Sequence, residues 1–175
     1  AEGVPRPFEA GADGIVPSDG AVALVLKREP DARRDGDRIY AIVRGFGSAA
    51  GDLEQTCGQA ILRGCEDAGV SPHELDYVES HGSGVERHDR LEAAALGKTL
   101  AADTVIGCSK ARVGHAGAAA GMVSVLGAAL SLYHQLLPPA VPSGPGSRSP
   151  QLTRLTEPHP WLRDRIDGPR RAGVL

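Results

Sequence analysis

The chain has 175 residues with 23 glycines, 13 prolines, only 3% aromatic residues and a formal net charge of −3. That length suits one domain with a real core, and the mild acidity excludes a general nucleic-acid binder. Few aromatics beside much Ala and Gly point to closely approaching backbones rather than a core of large rings. Cys57, Cys65 and Cys108 form no CxxC pair, and an odd count speaks against a disulfide framework, so a reducing, cytoplasmic setting is expected. The first residues, Ala1 to Pro5, lack the basic start and apolar run of a signal peptide. Residues 116–133 are long and apolar, but they are dominated by Ala and Gly and lack basic flanks and an aromatic belt; no membrane span is expected.

In chain order, Pro5, Pro7, Gly11, Gly14, Pro17 and Gly20 keep the opening segment irregular. The apolar run 21–27 reads as a strand covered on both faces, a charged turn follows over Asp31 to Arg38, and 39–45 reads as its antiparallel partner. Leu53, Cys57, Ala60, Ile61, Cys65 and Ala68 recur at helical spacing, with Gly69 as the C-cap and the two cysteines as core residues. Ser71-Pro72-His73-Glu74 has the signature of a helix start. Asp76 to Ser80 is a short strand that ends at His81-Gly82-Ser83-Gly84. A helix follows from about Asp89 to Leu100 with Leu91, Ala94, Ala95 and Leu96 inward, and with Asp89 and Glu92 near its start, where acids suit the helix dipole. Thr104 to Cys108 is a second buried strand, which leads into Lys110, His115 and an apolar helix to about Gln135. No charged side chain lies between Arg112 and Arg148, so that helix is expected to be buried.

Strand, loop with His, helix, then the same again, is α/β layering with parallel strands, and in such sheets sites gather at the carboxyl ends of strands. Beyond Leu136, Pro138, Pro139, Pro142, Gly144, Pro145, Gly146 and Pro150 read as an extended linker. Six arginines from Arg148 to Arg171, against Glu157, Asp164 and Asp167, make the tail locally basic. It is either solvated or a landing place for an acidic partner. The division is therefore a body over 1–140 and a linker with tail over 141–175.

Lys110 and His115, spaced five apart, permit two readings. In one, His115 caps the helix and Lys110 is solvated; in the other, both sit where unpaired amides favour a developing anion. If His81 shares that pocket, two neutral donors are available to hold a thioester carbonyl or enolate oxygen. Gly82 and Gly84 would let backbone approach a ligand closely. No nucleophile is evident. A Cys108–His hydrolase and a metal site from His81, His88, Asp89 and His115 are the rival chemistries.

Several segments together resemble the carboxy-terminal half of a β-ketoacyl synthase of polyketide or polyunsaturated fatty acid synthase type. Arg6 to Val16 resembles RPFDxxADGFV, Asp19 to Lys27 resembles GEGxGxxVLKR, and Asp35 to Ala41 matches DGDRIYA. Val78 to Gly84 resembles VEAHGTG, with Asp89 and Glu92 in the place of GDxxE, and Lys110 to Gly121 resembles KSNIGHxxxAAG. The departures are Val85 for Thr, His88 for Gly, Arg90 for Pro, and Ala111-Arg112 for Ser-Asn. The resemblance implies a thiolase-like layered α-β-α fold, with a mixed sheet and a buried Ala/Gly-rich helix. It also implies decarboxylative Claisen condensation of acyl and malonyl units, with His81 and His115 as the catalytic histidines and Lys110 organising their pocket. It implies no dissociable cofactor and no metal, because the phosphopantetheine arm of acyl carrier protein brings the substrates. The family's nucleophilic cysteine belongs to an amino-terminal half absent from these residues, so the chain alone is expected to be inactive. That half and the carrier are the implied partners, in a homodimer or a ketosynthase–chain-length-factor heterodimer. A chain-length-factor or non-elongating partner is the alternative, and neither nucleic acid nor membrane is an expected partner.

Overall fold

The computed structural model describes residues 3–140 and 152–175. Its centre is a three-stranded parallel sheet: β1 (Tyr77–Glu79) lies between β2 (Val105–Gly107) and β5 (Ala172–Val174). A two-stranded antiparallel sheet joins β3 (Leu136–Leu137) to β4 (His159–Pro160). Helix α2 (Leu53–Ala68) packs on α3 (Glu86–Thr99), and α5 (Ala120–His134) packs on β1 and β5. The sheet is thus covered by helices, as parallel sheets are. One apolar cluster joins Ile61, Cys65, Leu75, Val78, Leu96, Leu100 and Ile106; a second joins Tyr77, Ala128, Leu137 and Trp161.

Helix α2 runs over the expected residues, with Gly69 at φ 68° closing it through amide bonds from the cap region to Cys65 and Glu66. Ser71 to Glu74 forms a capping box, but around a single 3₁₀ turn rather than an α-helix. Two expected strands do not form. Residues 21–27 and 39–45 form no regular element and pair with no strand, and Val25 and Leu26 are 98% and 81% exposed. A strand needs a neighbour for its backbone groups, and among the described residues none lies beside these two. Between them stands helix α1 (Glu29–Asp35) instead of a turn. Pro30 sits in its first turn, Gly36 closes it at φ 70°, and Glu29–Arg33 and Asp31–Arg34 ion pairs line its surface.

The apolar helix after β2 is interrupted. Helix α4 (Lys110–Val113) stops at Gly114, whose φ of 74° and ψ of −173° are not helical, and α5 begins only after a 3₁₀ turn over Gly117–Ala119. Burial of α5 is one-sided: Ala120, Ser124, Ala128 and Ser131 face the body while Met122, Leu130 and Tyr133 are exposed. Residues 117–134 are long and apolar enough to cross a membrane by composition, and the stripe packed on the sheet gives that length a place in the fold.

The Pro/Gly segment 141–150 lies outside the described residues. Residues 152–175 do not form a free basic tail, however. They supply β4, β5 and the buried Trp161, and Arg163, Arg170 and Arg171 are used internally. Arg163 pairs with Asp76 and donates to the Asp167 and Gly168 carbonyls, Arg170 donates to the Trp161 carbonyl, and Arg171 pairs with Glu74. Asp76 also accepts the Arg171 amide at 2.9 Å. These bonds hold the chain end beside β1. Removing a part-buried charged partner costs about 2 kcal/mol, so Arg163→Ala is expected to lower the melting temperature by several degrees, as scanning calorimetry would read.

Candidate functional site

His81 follows β1 by two residues, and His115 lies in the break between α4 and the 3₁₀ turn. Both are at the carboxyl end of the sheet, with ring centroids 6.2 Å apart in an edge-to-face arrangement. The sheet register produces this meeting: Glu79 is paired with Gly107, so the loops leaving β1 and β2 depart side by side. Lys110 is buried rather than solvated, and its Nζ donates to the His81 carbonyl at 2.6 Å. A narrow cleft is lined by Pro7, Val16, Gly82, Ser83, Lys110 and His115, among others.

The bonding of His115 matches the capping reading. Its Nδ1 accepts the Gly117 amide at 3.1 Å, a local cap. An Nδ1 that accepts cannot carry the proton, so the neutral ring keeps its N–H on Nε2, available as a donor. The His81 ring remains accessible. The protein packed around it, then the charges of Lys110 and His115, lower its pKa from the ordinary histidine value against the opposing Asp89. His81 is therefore neutral near pH 7, and the two imidazoles meet beside the buried Lys110.

The acids of α3 do more than complement a dipole. The helix starts at Glu86, three residues before the expected start, and this turns Asp89 and Glu92 inward, each 2% exposed. Glu92 accepts the His81 and Gly82 amides at 2.7 and 2.9 Å. Asp89 accepts the Gly84 amide, the Ser83 hydroxyl and, from the opening segment, the Phe8 amide at 2.8 Å. Two carboxylates thus brace the His81 loop. The sequence signal was their three-residue spacing on one helix face beside a Gly-rich loop, which a helix beginning at Asp89 conceals. Beneath the site, Glu79 is fully buried, taking the Tyr77 hydroxyl on one oxygen and the Ser109 amide on the other. Burial, reinforced by Glu79, holds the Tyr77 phenol protonated.

Burial pushes the Glu92 carboxyl up to about 7, against the two amides that favour its charge. Between its ordinary value of 4.5 and about 7 the folded protein keeps a proton that the unfolded chain has released. Its contribution to stability is therefore greatest below pH 4.5 and falls by about 3 kcal/mol as pH rises through 7. Thermal melts across this range should show that slope in the wild type and its loss in Glu92→Gln.

The rival chemistries lose their geometry. Cys108 is 1% exposed, its thiol is pushed up to about 12 chiefly by burial, and its Sγ lies 3.7 Å from the Gly82 carbonyl. That is a packed thiol, not an activated nucleophile. Among the described residues no three His, Cys, Asp or Glu side chains come together as a metal site, and His88 is exposed on α3. Gly82 and Gly84 serve the protein rather than a ligand: at φ 48° and 78°, their absent side chains admit Cys108 and Phe8 on one side and the Gly14 carbonyl on the other.

The layered α/β body, with two histidine loops at the carboxyl end of a parallel sheet, matches solved ketosynthase domains and so has a thiolase-like fold. The family profile described as Beta-ketoacyl synthase, C-terminal domain, matches residues 40–143. The chain belongs to the β-ketoacyl synthase family, as its carboxy-terminal domain. Among its relatives, the PKS-NRPS hybrid synthetase ATPKS of Aspergillus niger is 35% identical over 99% of this chain and 10% of its own length. The pikromycin polyketide synthase component PikAIII of Streptomyces venezuelae is 35% identical over 99% of this chain and 12% of its own. The ketosynthase from module 6 of the bacillaene synthase of Bacillus subtilis matches with TM-score 0.83 and 32% identity, over 99% of this chain and 34% of that one. The ishigamide ketosynthase/chain length factor matches with TM-score 0.81 and 27% identity, over 91% of this chain and 42% of that one. The chain thus spans about a tenth of the length of such synthases and about a third of the solved bacillaene ketosynthase.

Proposed function

We propose that this chain is the histidine-bearing part of a ketosynthase that joins an acyl and a malonyl unit by decarboxylative Claisen condensation in polyketide or fatty acid biosynthesis. The observation that supports it is the pairing of two histidine rings, 6.2 Å apart, beside the buried Lys110. The acyl chain is held as a thioester on a cysteine supplied by the ketosynthase half outside these residues, and the malonyl unit arrives on the phosphopantetheine arm of acyl carrier protein. The malonyl carbon–carboxylate bond breaks, CO₂ leaves, and the electron pair passes to an enolate whose oxygen accepts from His81 and His115. The enolate carbon attacks the acyl thioester, and the tetrahedral oxyanion collapses to expel the cysteine thiolate. Donors placed where charge develops stabilise both anions. Lys110 acts by fixing the His81 carbonyl.

The reading includes a cytoplasmic location, supported by the three free cysteines, and a homodimer or a heterodimer with a chain-length-factor partner. The alternative is a non-elongating partner that only shapes a neighbouring site. Its support is the likeness to the ishigamide ketosynthase/chain length factor; retention of both histidines favours the condensing role. The test supplies acyl and malonyl carrier thioesters to the 175-residue chain, alone and combined with a cysteine-bearing amino-terminal ketosynthase half. Mass spectrometry should find β-ketoacyl product only in the combination. No product from a folded, associated complex would favour the non-elongating partner.

A further inference from the structure

The opening segment has no regular secondary structure, yet it ties down both histidine loops. At one end the Phe8 amide reaches Asp89 at 2.8 Å, and the Gly14 amide reaches the Gly84 carbonyl at 2.9 Å. At the other, the His115 amide donates to the Val16 carbonyl at 2.8 Å and the Ser18 amide donates to the His115 carbonyl at 3.1 Å. Such a strap spans the gap between the histidines only while something holds it down at the Phe8 end.

That hold comes from a distant part of the chain. Arg154 Nη1 donates to the Pro7 carbonyl at 2.9 Å, and its guanidinium carbon lies 5.8 Å from the centre of the Phe8 ring. Phe8 is one of two non-glycine residues at positive φ among those described, at 61°. A bulky residue keeps that conformation only where its surroundings enforce it. The clamp is the cation over the ring, the Asp89 bond to its amide and the press of its edge on Gly82, where even a methyl would come within 3.0 Å. Through Asp89 the same contacts reach the Ser83 hydroxyl at 3.0 Å and the Gly84 amide at 3.2 Å.

We propose that Arg154 is a positioning residue for His81, acting through Pro7 and Phe8 on Asp89 and the His81–Gly84 loop. This deepens the reading of His81 as a working histidine and rests on it. The charged and titratable groups around His81 are Lys110, His115, Asp89 and His88, with Glu92 on its amide. Arg154 also interacts electrostatically with Asp89, so a variant that keeps the cation is needed to separate the placement of His81 from the loss of charge.

The test is hydrogen exchange and imidazole NMR titration on the 175-residue chain, as wild type, Arg154→Ala and Arg154→Lys. In Arg154→Ala the Phe8 and Gly84 amides should exchange roughly tenfold faster, as expected when one hydrogen bond and its ring contact are lost. The His81 titration should move up toward an ordinary histidine, while the His115 amide stays protected by Val16. Arg154→Lys, still able to reach the Pro7 carbonyl with a cation, should recover part of both. Unchanged Phe8 and Gly84 exchange with an unchanged His81 titration would overturn the proposal. So would loosening that spreads equally to the Ile61 amide in the middle of α2, which marks a general stability role. Arg154→Met, which keeps the apolar stem, is read in the same way if the alanine variant does not fold. A failure here leaves the condensation reading standing, because no turnover is measured.

Discussion

Gly107→Ala is expected to destabilise the protein by about 4 kcal/mol or more, among the largest effects of any single methyl in this chain. A Cβ at that position would overlap the Tyr77 hydroxyl and the ring edge that carries it, and the side chain cannot move aside. Tyr77 is fully buried, its hydroxyl is committed to Glu79, and its face meets Trp161 with centroids 5.9 Å apart. Moving the backbone instead would separate β2 from β1 at the Glu79–Gly107 register pair, from which both histidine loops emerge. Urea unfolding monitored by Trp161 fluorescence should show the loss or a failure to fold. A variant within about 1 kcal/mol of wild type would mean that the Tyr77 packing is not what sets the strand spacing.

His81→Ala and His115→Ala, made in the complete ketosynthase, are each expected to reduce malonyl decarboxylation by about 10²–10³-fold, the usual consequence of removing one donor from a developing oxyanion. The loss should fall on kcat with little change in KM, because the donors act on charge present only in the transition state. His115→Gln should retain more activity than His115→Ala only if the Gln amide can reach the position of Nε2. Release of CO₂ from malonyl carrier, measured apart from product formation, separates this step from the later carbon–carbon bond.

Much of this arrangement was legible in the sequence. The α2 pattern, the two short strands, both histidine loops and the family motifs announce themselves through residue type and spacing. What the sequence hides is cooperation at a distance. The run 21–27 has strand composition, but composition cannot say whether a neighbouring strand lies alongside. The apolar run after Lys110 looks like one helix because Gly114 is only one glycine among several; its φ of 74° and the crowding by Ser18, nearly a hundred positions earlier in the chain, are what leave no room for a side chain there. Asp89 and Glu92 read as acids that suit a helix start; their burial becomes sensible only with the His81, Gly82, Gly84 and Phe8 amides around them. The arginines near the chain end look like a basic patch until Asp76, Glu74 and four carbonyl groups claim them.

The proposed condensing role turns on whether His81 and His115 serve one oxyanion. A double-mutant cycle on decarboxylation of malonyl carrier by the complete ketosynthase tests this most directly. Groups that work as a unit give strongly non-additive losses, so the double variant should be within about tenfold of the weaker single variant. Losses that multiply, or a single variant that keeps the wild-type rate, would contradict the account.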